Sequence, residues 1–254
     1  MRITETVRSV VRDVRQKEVS FLAASVAFYA FFSVVPLIIL ALAAASLVGG
    51  EAFEETVIAL VGTYLSSQGE TVVAEALTSP AGRLGASVVG VVALIWSALK
   101  VFRAVDIAFD RIYGADKAAS VPRQVANGVV VLAVISIGMV LIVGVRIAFA
   151  LLGLPYIGAL GWLVMVLGLF LALVPIYYVM PPKKVSARHL LPGTATAVVG
   201  WLLLQGLFGV YASVAIRYQA YGFLGAVLLF LLWLYFGAMV LLVGAVVNTV
   251  VSEE

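Results

Sequence analysis

Four charged side chains recur at spacings of three and four residues in one stretch of the chain: Lys100, Arg103, Asp106 and Asp110. Residues at these spacings share one side of a helix, where a cation and a carboxylate can form an ion pair. Beside a membrane, such a charged side predicts a cytoplasmic gate or contacts with anionic lipid head groups. The alternative is a helix at the membrane surface whose charged side faces water.

A second set of polar residues interrupts long apolar runs. Ser25, Tyr29, Ser33 and Pro36 fall on one helical face, and polar side chains in hydrocarbon turn towards other helices. This face predicts either the wall of a transport pathway or a set of interhelical hydrogen bonds. The same two interpretations apply to three isolated amides, which are Asn127, Gln205 and Asn248.

Further basic residues could contact anionic groups. Arg146 lies in an apolar run, so its side chain either extends to the membrane surface or faces the bundle and binds a phosphate or carboxylate. Lys183, Lys184 and Arg188 form a basic loop between two apolar runs. This loop is a candidate for head-group contacts or for part of the gate.

The residue types that several enzyme classes require are missing. The sequence has no cysteine and one histidine, His189, so disulfides, thiolate metal sites, multi-histidine metal sites and catalytic histidine pairs are excluded. The acidic residues are scattered or lie beside basic ones, unlike the carboxylate cluster of a metal-dependent nuclease. We expect no enzymatic activity, no catalytic residue, no cofactor, no metal and no nucleic-acid partner.

Composition identifies the environment of the chain. Hydrophobic residues make up 64% of the 254 positions and charged residues 11%, whereas soluble domains carry roughly 25% charged residues. The apolar residues also occur in long uninterrupted runs, which is typical of membrane-spanning helices. The predicted fold class is all-α: a polytopic membrane helix bundle of about six transmembrane helices with amphipathic interfacial helices.

The apolar runs predict a single membrane domain over residues 1–254. An external amphipathic segment is expected at 49–83. The second transmembrane helix is predicted to continue through Lys100 into the interface, and Pro36 to kink the first. The six predicted transmembrane helices cover 20–48, 84–99, 124–151, 155–180, 190–216 and 221–251. Glycines expected to let neighbouring helices approach closely are Gly200, Gly206, Gly237 and Gly244.

Residues 1–19 are predicted to form a cytoplasmic amphipathic helix with apolar and basic side chains on different sides. The pattern fits a helix that rests on an anionic membrane surface. The alternative is a solvated helix that leads into the first span. The apolar side would carry Ile3, Val7, Val10, Val11 and Val14, and the basic side Arg8, Arg12 and Arg15.

The distribution of basic residues predicts the orientation. With six spans and the N-terminus inside, 13 of the 16 Lys and Arg residues fall on the cytoplasmic side. The external segment 49–83 carries five acidic residues. Cytoplasmic loops carry the excess of Lys and Arg, so we expect a multi-pass protein of the cell membrane with both termini in the cytoplasm.

Several short stretches follow one another along the chain: 24–29 (Ala-Ser-Val-Ala-Phe-Tyr) with Ser33 and Pro36-Leu37, Trp96-Ser97, 110–113 (Asp-Arg-Ile-Tyr), Leu191-Pro192-Gly193, Trp201, 208–211 (Phe-Gly-Val-Tyr), Tyr221-Gly222, Gly225-Ala226, 233–235 (Trp-Leu-Tyr) and Gly244-Ala245. In this order they resemble the YihY/BrkB family of inner-membrane proteins. The family is described as having about six transmembrane helices, which agrees with the count above. Two positions depart from its pattern: the family often has Asn at Asp110, and often an acidic residue at Val246.

The resemblance implies little chemistry. Some family members carry a ribonuclease BN label, and transport, including lipid transport, has been suggested for relatives. No set of catalytic residues comes with the family. The polar faces, the kinked first span and the basic helix ends together predict a transporter or lipid translocator.

Two other functions remain open from the sequence. The first alternative is a structural or partner-binding membrane protein that transports nothing. The second is an intramembrane enzyme acting on lipids, although no pair of ionisable groups stands out for it. The pattern indicates a lipid bilayer and anionic head groups as partners. It indicates no particular substrate, coupling ion, direction or oligomeric state.

Overall fold

A computed structural model describes most of the chain as helices. The described residues are 3–38, 80–115, 122, 126–131, 133, 144, 159–182, 186–215 and 222–252. Within these ranges the backbone is helical except for short turns. The predicted all-α fold class is confirmed.

Six helices lie among these residues, and α2 is given over its described part. α1 is short, and each of the other five is long and apolar enough to cross a membrane. α4 contains Pro175 and α5 contains Pro192. The bounds are Ile3–Gln16 for α1, Val19–Ile38 for α2, Pro80–Ile112 for α3, Ala159–Val179 for α4, Ala187–Ala215 for α5 and Gly222–Ser252 for α6.

Large apolar side chains cover the outer surface of these helices. Phe21 is 80% exposed and Leu207 is 69% exposed. Soluble monomers rarely expose contiguous apolar surface of this kind, but hydrocarbon solvates it. The chain is therefore a multi-pass membrane protein.

α3 extends beyond the predicted range 84–99 at both ends. α3 runs without interruption past Lys100 to Ile112, as predicted for the second span. It begins at Pro80, a residue that suits the first turn of a helix because proline has no N–H to leave unpaired. Residues 39–79, which include most of the external segment and the end of the first span, lie outside the described residues.

The chain divides into two compact units. The first comprises Met1–Phe28 and Phe102–Glu254, and the second comprises Tyr29–Val101. In the first unit α5 packs along α6 most extensively, α4 packs against α5, and α1 packs against α6. The described part of the second unit consists of the later part of α2 and the first part of α3. The candidate site described below lies within the first unit.

Glycines allow α5 and α6 to approach closely. A β-carbon at Gly200 would lie 2.6 Å from Cγ1 of Val240, and one at Gly237 would lie 3.1 Å from Cη2 of Trp201. The prediction of close packing is confirmed at Gly200, Gly237 and Gly244. It is wrong at Gly206, where no atom of the described chain lies within 4 Å of such a β-carbon, because this side of α5 faces outwards.

α3 and α4 end side by side in the first unit. Phe109 near the end of α3 and Tyr177 near the end of α4 have ring centroids 6.0 Å apart. The predicted third span, 124–151, lies mostly outside the described residues and stays a prediction.

A two-residue turn joins α1 to α2. Glu18 in this turn has φ of 52°, in the left-handed region that residues other than glycine rarely adopt. Its carboxylate accepts a hydrogen bond from Arg111 at 2.9 Å, and both side chains are more than half exposed. Exposed pairs of this kind contribute roughly 0–1 kcal/mol, comparable to the conformational cost at Glu18.

Two substitutions at Glu18 are expected to separate the contribution of the ion pair from the cost of the left-handed backbone. Glu18→Gly loses the ion pair but relieves the backbone, so the free energy of unfolding should change by only about 0.5 kcal/mol. Glu18→Val loses the same pair and places a β-branched residue at positive φ, which should destabilise the protein by about 1–2 kcal/mol. Thermal unfolding in detergent compares them. Equal unfolding temperatures for the two variants would mean that the turn is not left-handed.

Candidate functional site

One face of the last two turns of α3 combines acidic and aromatic side chains. Asp106, Phe109, Asp110 and Tyr113 recur at the i, i+3, i+4 and i+7 spacing of a single helical face. Asp106 is 2% exposed and Asp110 is 8% exposed. The alternative in which this charged side faces water is therefore wrong for both aspartates. Arg103, one turn earlier, is exposed.

Aromatic rings connect this face of α3 to α4. Phe109 stacks on Tyr113 with ring centroids 6.1 Å apart, and it meets Tyr177 of α4 at 6.0 Å. Tyr177 is fully buried, and its hydroxyl donates a hydrogen bond to the carbonyl oxygen of Leu241 in α6 at 2.7 Å. α4 is thus fixed to α6 by a hydrogen bond and to α3 by ring packing.

Asn248 joins α6 to the beginning of α5. Its side chain is fully buried, and Oδ1 accepts a hydrogen bond from the backbone N–H of Gly193 at 2.7 Å. Pro192 precedes Gly193 and has no N–H, so it interrupts the hydrogen bonding of the helix at this point. Of the two readings of Asn248, the structure shows an interhelical hydrogen bond.

The backbone contact between α5 and α6 requires glycine on both sides. A β-carbon at Gly193 would collide with the carbonyl oxygen of Gly244 and with the Asn248 side chain. One at Gly244 would collide with the Tyr177 hydroxyl. Gly193 and Gly244 therefore set the distance at which α4, α5 and α6 meet.

Two polar atoms at this junction have no hydrogen-bond partner within the described part of the chain: Nδ2 of Asn248 and the hydroxyl of Tyr113. Burial raises the pKa of Tyr113 to about 12, and the nearby Asn248 side chain acts in the opposite direction. The hydroxyl therefore keeps its proton at neutral pH. The Tyr113 hydroxyl and the Asn248 amide therefore lie beside each other at this junction.

We call Asp106, Asp110, Tyr113, Tyr177 and Asn248 the polar cluster. It combines two carboxylates, which accept hydrogen bonds or hold cations, with the Tyr113 hydroxyl and the Asn248 amide, which can donate hydrogen bonds. The Tyr177 hydroxyl already donates its proton to Leu241. Such a set can bind a polar or charged group inside an apolar bundle. Among the residues that the structure describes, no group of three or more His, Cys, Asp and Glu residues comes together.

On the predicted pathway face of α2, both serine hydroxyls form hydrogen bonds within their own helix. Ser25 donates its hydroxyl to the carbonyl of Leu22 at 2.8 Å, and Ser33 donates to Ala30 at 2.6 Å. Tyr29 is half-buried and Pro36 is buried. These hydroxyls need no partner on another helix, and the proposed role of this face stays a prediction.

The other candidate residues are dispersed. Gln205 is exposed and Asn127 is half-buried. Lys100 is half-buried with its ammonium 5.4 Å from the centroid of Trp96. Candidates outside the described residues or side chains are Arg146, Lys183, Lys184 and Arg188.

Tyr113, Tyr177 and Gly193 are members of this junction that the sequence did not single out for a role. Tyr177 follows Pro175 by two positions, and Gly193 follows Pro192 directly. For Tyr177 and Gly193, the available signal was a proline inside an apolar helix, one or two positions earlier.

Comparison with known proteins identifies the family. The profile described as virulence factor BrkB matches residues 10–254. The chain belongs to the BrkB family. The resemblance predicted from the sequence is thereby confirmed, and the BrkB match includes every member of the polar cluster.

Individual relatives are similar over shorter stretches. The chain is 30% identical over 97 residues to the ribonuclease-like protein YfkH of Bacillus subtilis, covering 38% of this chain and 35% of that protein. It is 42% identical over 71 residues to a UPF0761 membrane protein of Azotobacter vinelandii, covering 28% and 17%. A UPF0761 membrane protein of Xanthomonas oryzae is 29% identical over 170 residues, covering 63% and 39%. No solved structure matches the chain.

Proposed function

We propose that this BrkB-family protein is a transporter or lipid translocator in which the polar cluster binds or gates the transported group. The observation that carries the proposal is the burial of Asp106 and Asp110 inside an otherwise apolar helix bundle. Ionisable residues within membrane helices are costly and usually mark ion, proton or substrate pathways. A bundle that only needed to pack would be more stable with apolar residues at these positions.

Two helix interruptions beside the polar cluster support the same function. Pro175 in α4 lies two residues before Tyr177, and Pro192 in α5 lies directly before Gly193. Each proline removes one hydrogen bond of its helix and frees a backbone carbonyl. Transporter sites typically form where interrupted helices leave backbone groups free to bind substrate.

The pattern of contacts suggests which helix moves. Hydrogen bonds from Tyr177 to Leu241 and from Gly193 to Asn248 join α4, α5 and α6 into one body. α3 meets this body through the Phe109 ring, which packs against Tyr177. Displacement of the end of α3 relative to α4–α6 would open the polar cluster while leaving that body intact.

We also propose that the chain is not itself an enzyme. Its single histidine and lack of cysteine remove the commonest acid–base and nucleophilic groups. The ribonuclease label belongs to a relative that matches only part of this chain. The proposed location is the cell membrane with both termini in the cytoplasm, supported by the concentration of Lys and Arg on that side.

Flux measurements in liposomes test the proposed function. The purified protein should move labelled phospholipids or anionic solutes faster than protein-free liposomes do. Asp106→Asn and Asp110→Asn should each reduce this flux by about tenfold, equivalent to about 1.4 kcal/mol. Both variants remain polar and similar in size, so their unfolding temperatures should stay close to that of the unmodified protein.

Glu5→Gln is the matched control, because it makes the same chemical change at an exposed position on α1. Its flux should equal that of the unmodified protein. The proposal is overturned if no class of substrate moves above the protein-free rate. It is also overturned if both aspartate variants, correctly folded, transport at the original rate.

A further inference from the structure

Around its circumference, α1 has a less exposed side, an exposed apolar edge and an exposed charged side. Its less exposed side carries Val10, Asp13, Val14 and Lys17, and α1 packs against α6. Lys17 and Asp13 form an ion pair at 3.0 Å on this side. Only part of the apolar face predicted from the sequence is therefore used inside the protein.

The remainder of that apolar face is open. Val7 is 55% exposed and Val11 is 48% exposed. At 100° per residue these valines lie at one edge of the exposed half of α1. Arg15 and Arg8 come next around the helix, then Arg12, and Glu5 and Gln16 lie at the far edge. All of these residues are exposed.

The position of α1 places this surface at the membrane boundary. α1 ends at Gln16 and the membrane-spanning α2 begins at Val19, so only two residues separate them. Glu18 in that turn pairs with Arg111 near the end of α3. α1 is therefore held at the ends of α2 and α3, both long and apolar enough to cross a membrane.

We propose that α1 docks on anionic lipid: Val7 and Val11 enter the interface, and Arg8 and Arg15 bind phosphate groups of anionic phospholipids. The order of side chains around the helix carries this assignment. Next to the less exposed side of α1 lie the two valines. The arginines lie beside the valines, and Glu5 and Gln16 lie beyond the arginines, at the edge of the exposed half furthest from the valines. Surface helices bind membranes through this combination of an apolar edge and adjacent basic residues.

The proposal is independent of whether the protein transports anything. It concerns a surface outside the polar cluster and would hold equally for a non-transporting protein. Charge complementarity selects the lipid: an anionic surface attracts the three exposed arginines, and a zwitterionic one does not.

A nitroxide attached at a single cysteine tests the docking in the full-length chain, which has no cysteine of its own. In nanodiscs of zwitterionic lipid with one third anionic lipid, the label on Val11→Cys should collide with oxygen and be protected from a water-soluble nickel chelate. The label on Gln16→Cys should show the reverse. Equal exposure of both labels to the nickel chelate would overturn the proposal.

The role of the arginines is tested in the Val11→Cys background. The double variant Arg8→Gln with Arg15→Gln should lower the ratio of docked to undocked helix about 30-fold. Each basic residue near an anionic surface strengthens binding by about fivefold, and the two contributions multiply. Arg12→Gln, nearer the water side, should lower it by less than about fivefold. Raising the salt to 1 M should weaken docking of the labelled helix that keeps all its native arginines, because the screening length falls to about 3 Å.

Two outcomes would contradict the role of the arginines. One is unchanged protection of the label in the double variant, and the other is equal protection in purely zwitterionic nanodiscs. The salt experiment uses the native arginines, so it decides the question even if the double variant fails to fold. Failure here would leave the flux prediction for the aspartate variants untouched.

Discussion

Replacing Gly193 by alanine is expected to lower the free energy of unfolding by about 2–3 kcal/mol. The added methyl group would collide with the carbonyl oxygen of Gly244 and with Asn248. Neither can move easily, since one is helix backbone and the other is held by the hydrogen bond from Gly193. Overpacking of this kind typically costs 1–3 kcal/mol, and here it would also stretch the 2.7 Å bond to Asn248.

Gly206→Ala provides the control on the same helix. No atom of the described chain lies within 4 Å of a β-carbon at Gly206. Because alanine favours a helix by up to about 1 kcal/mol over glycine, this variant should be as stable as the original protein or slightly more stable. Thermal unfolding in detergent measures both. If both variants unfold at the same temperature, the close crossing of α5 and α6 is wrong.

Asn248→Leu is the second substitution expected to have a large effect. Leucine removes the buried acceptor of the Gly193 N–H, and leaving a buried donor unpaired costs about 1–3 kcal/mol. It also removes the amide beside the Tyr113 hydroxyl. We expect a loss of about 2 kcal/mol, and, if α3 moves against α4–α6, a loss of flux as well.

Gln205→Leu is the corresponding control for the amide. It replaces an amide by leucine on the exposed side of α5, where hydrocarbon would solvate the new side chain, so stability should be unchanged or slightly higher. The comparison is made by chemical or thermal unfolding of the two variants in the same detergent. A smaller loss of unfolding free energy for Asn248→Leu than for Gln205→Leu would contradict the interhelical role of Asn248.

The membrane-spanning helices could be predicted because hydropathy depends on each segment alone. Runs of about 20 apolar residues in this chain have no other stable state, since every backbone group must be paired inside the membrane. α5 and α6 accordingly begin and end within three residues of the predicted limits. The continuation of α3 beyond Lys100 followed from helical periodicity in the same way.

The polar cluster could not be assembled from the sequence because it depends on which helices are neighbours. The spacing of Asp106 and Asp110 placed them on one face of α3 but did not show whether that face meets water or protein. Asn248 was singled out as an amide, yet its partner is the backbone of Gly193, which no side-chain pattern reveals. Tyr177 lies in an apolar run, and its bond to Leu241 becomes apparent only when α6 is placed beside α4.

The claim on which the account depends is that α3, α4 and α6 end, and α5 begins, on one side of the membrane. Gly114, Ser186 and Ser252 are exposed residues at these ends, and the absence of native cysteine permits single-cysteine variants at each. In sealed vesicles of known orientation, a membrane-impermeant maleimide should label all three positions from the same side. Labelling of any one of them from the opposite side would contradict the shared polar cluster and the proposal built on it.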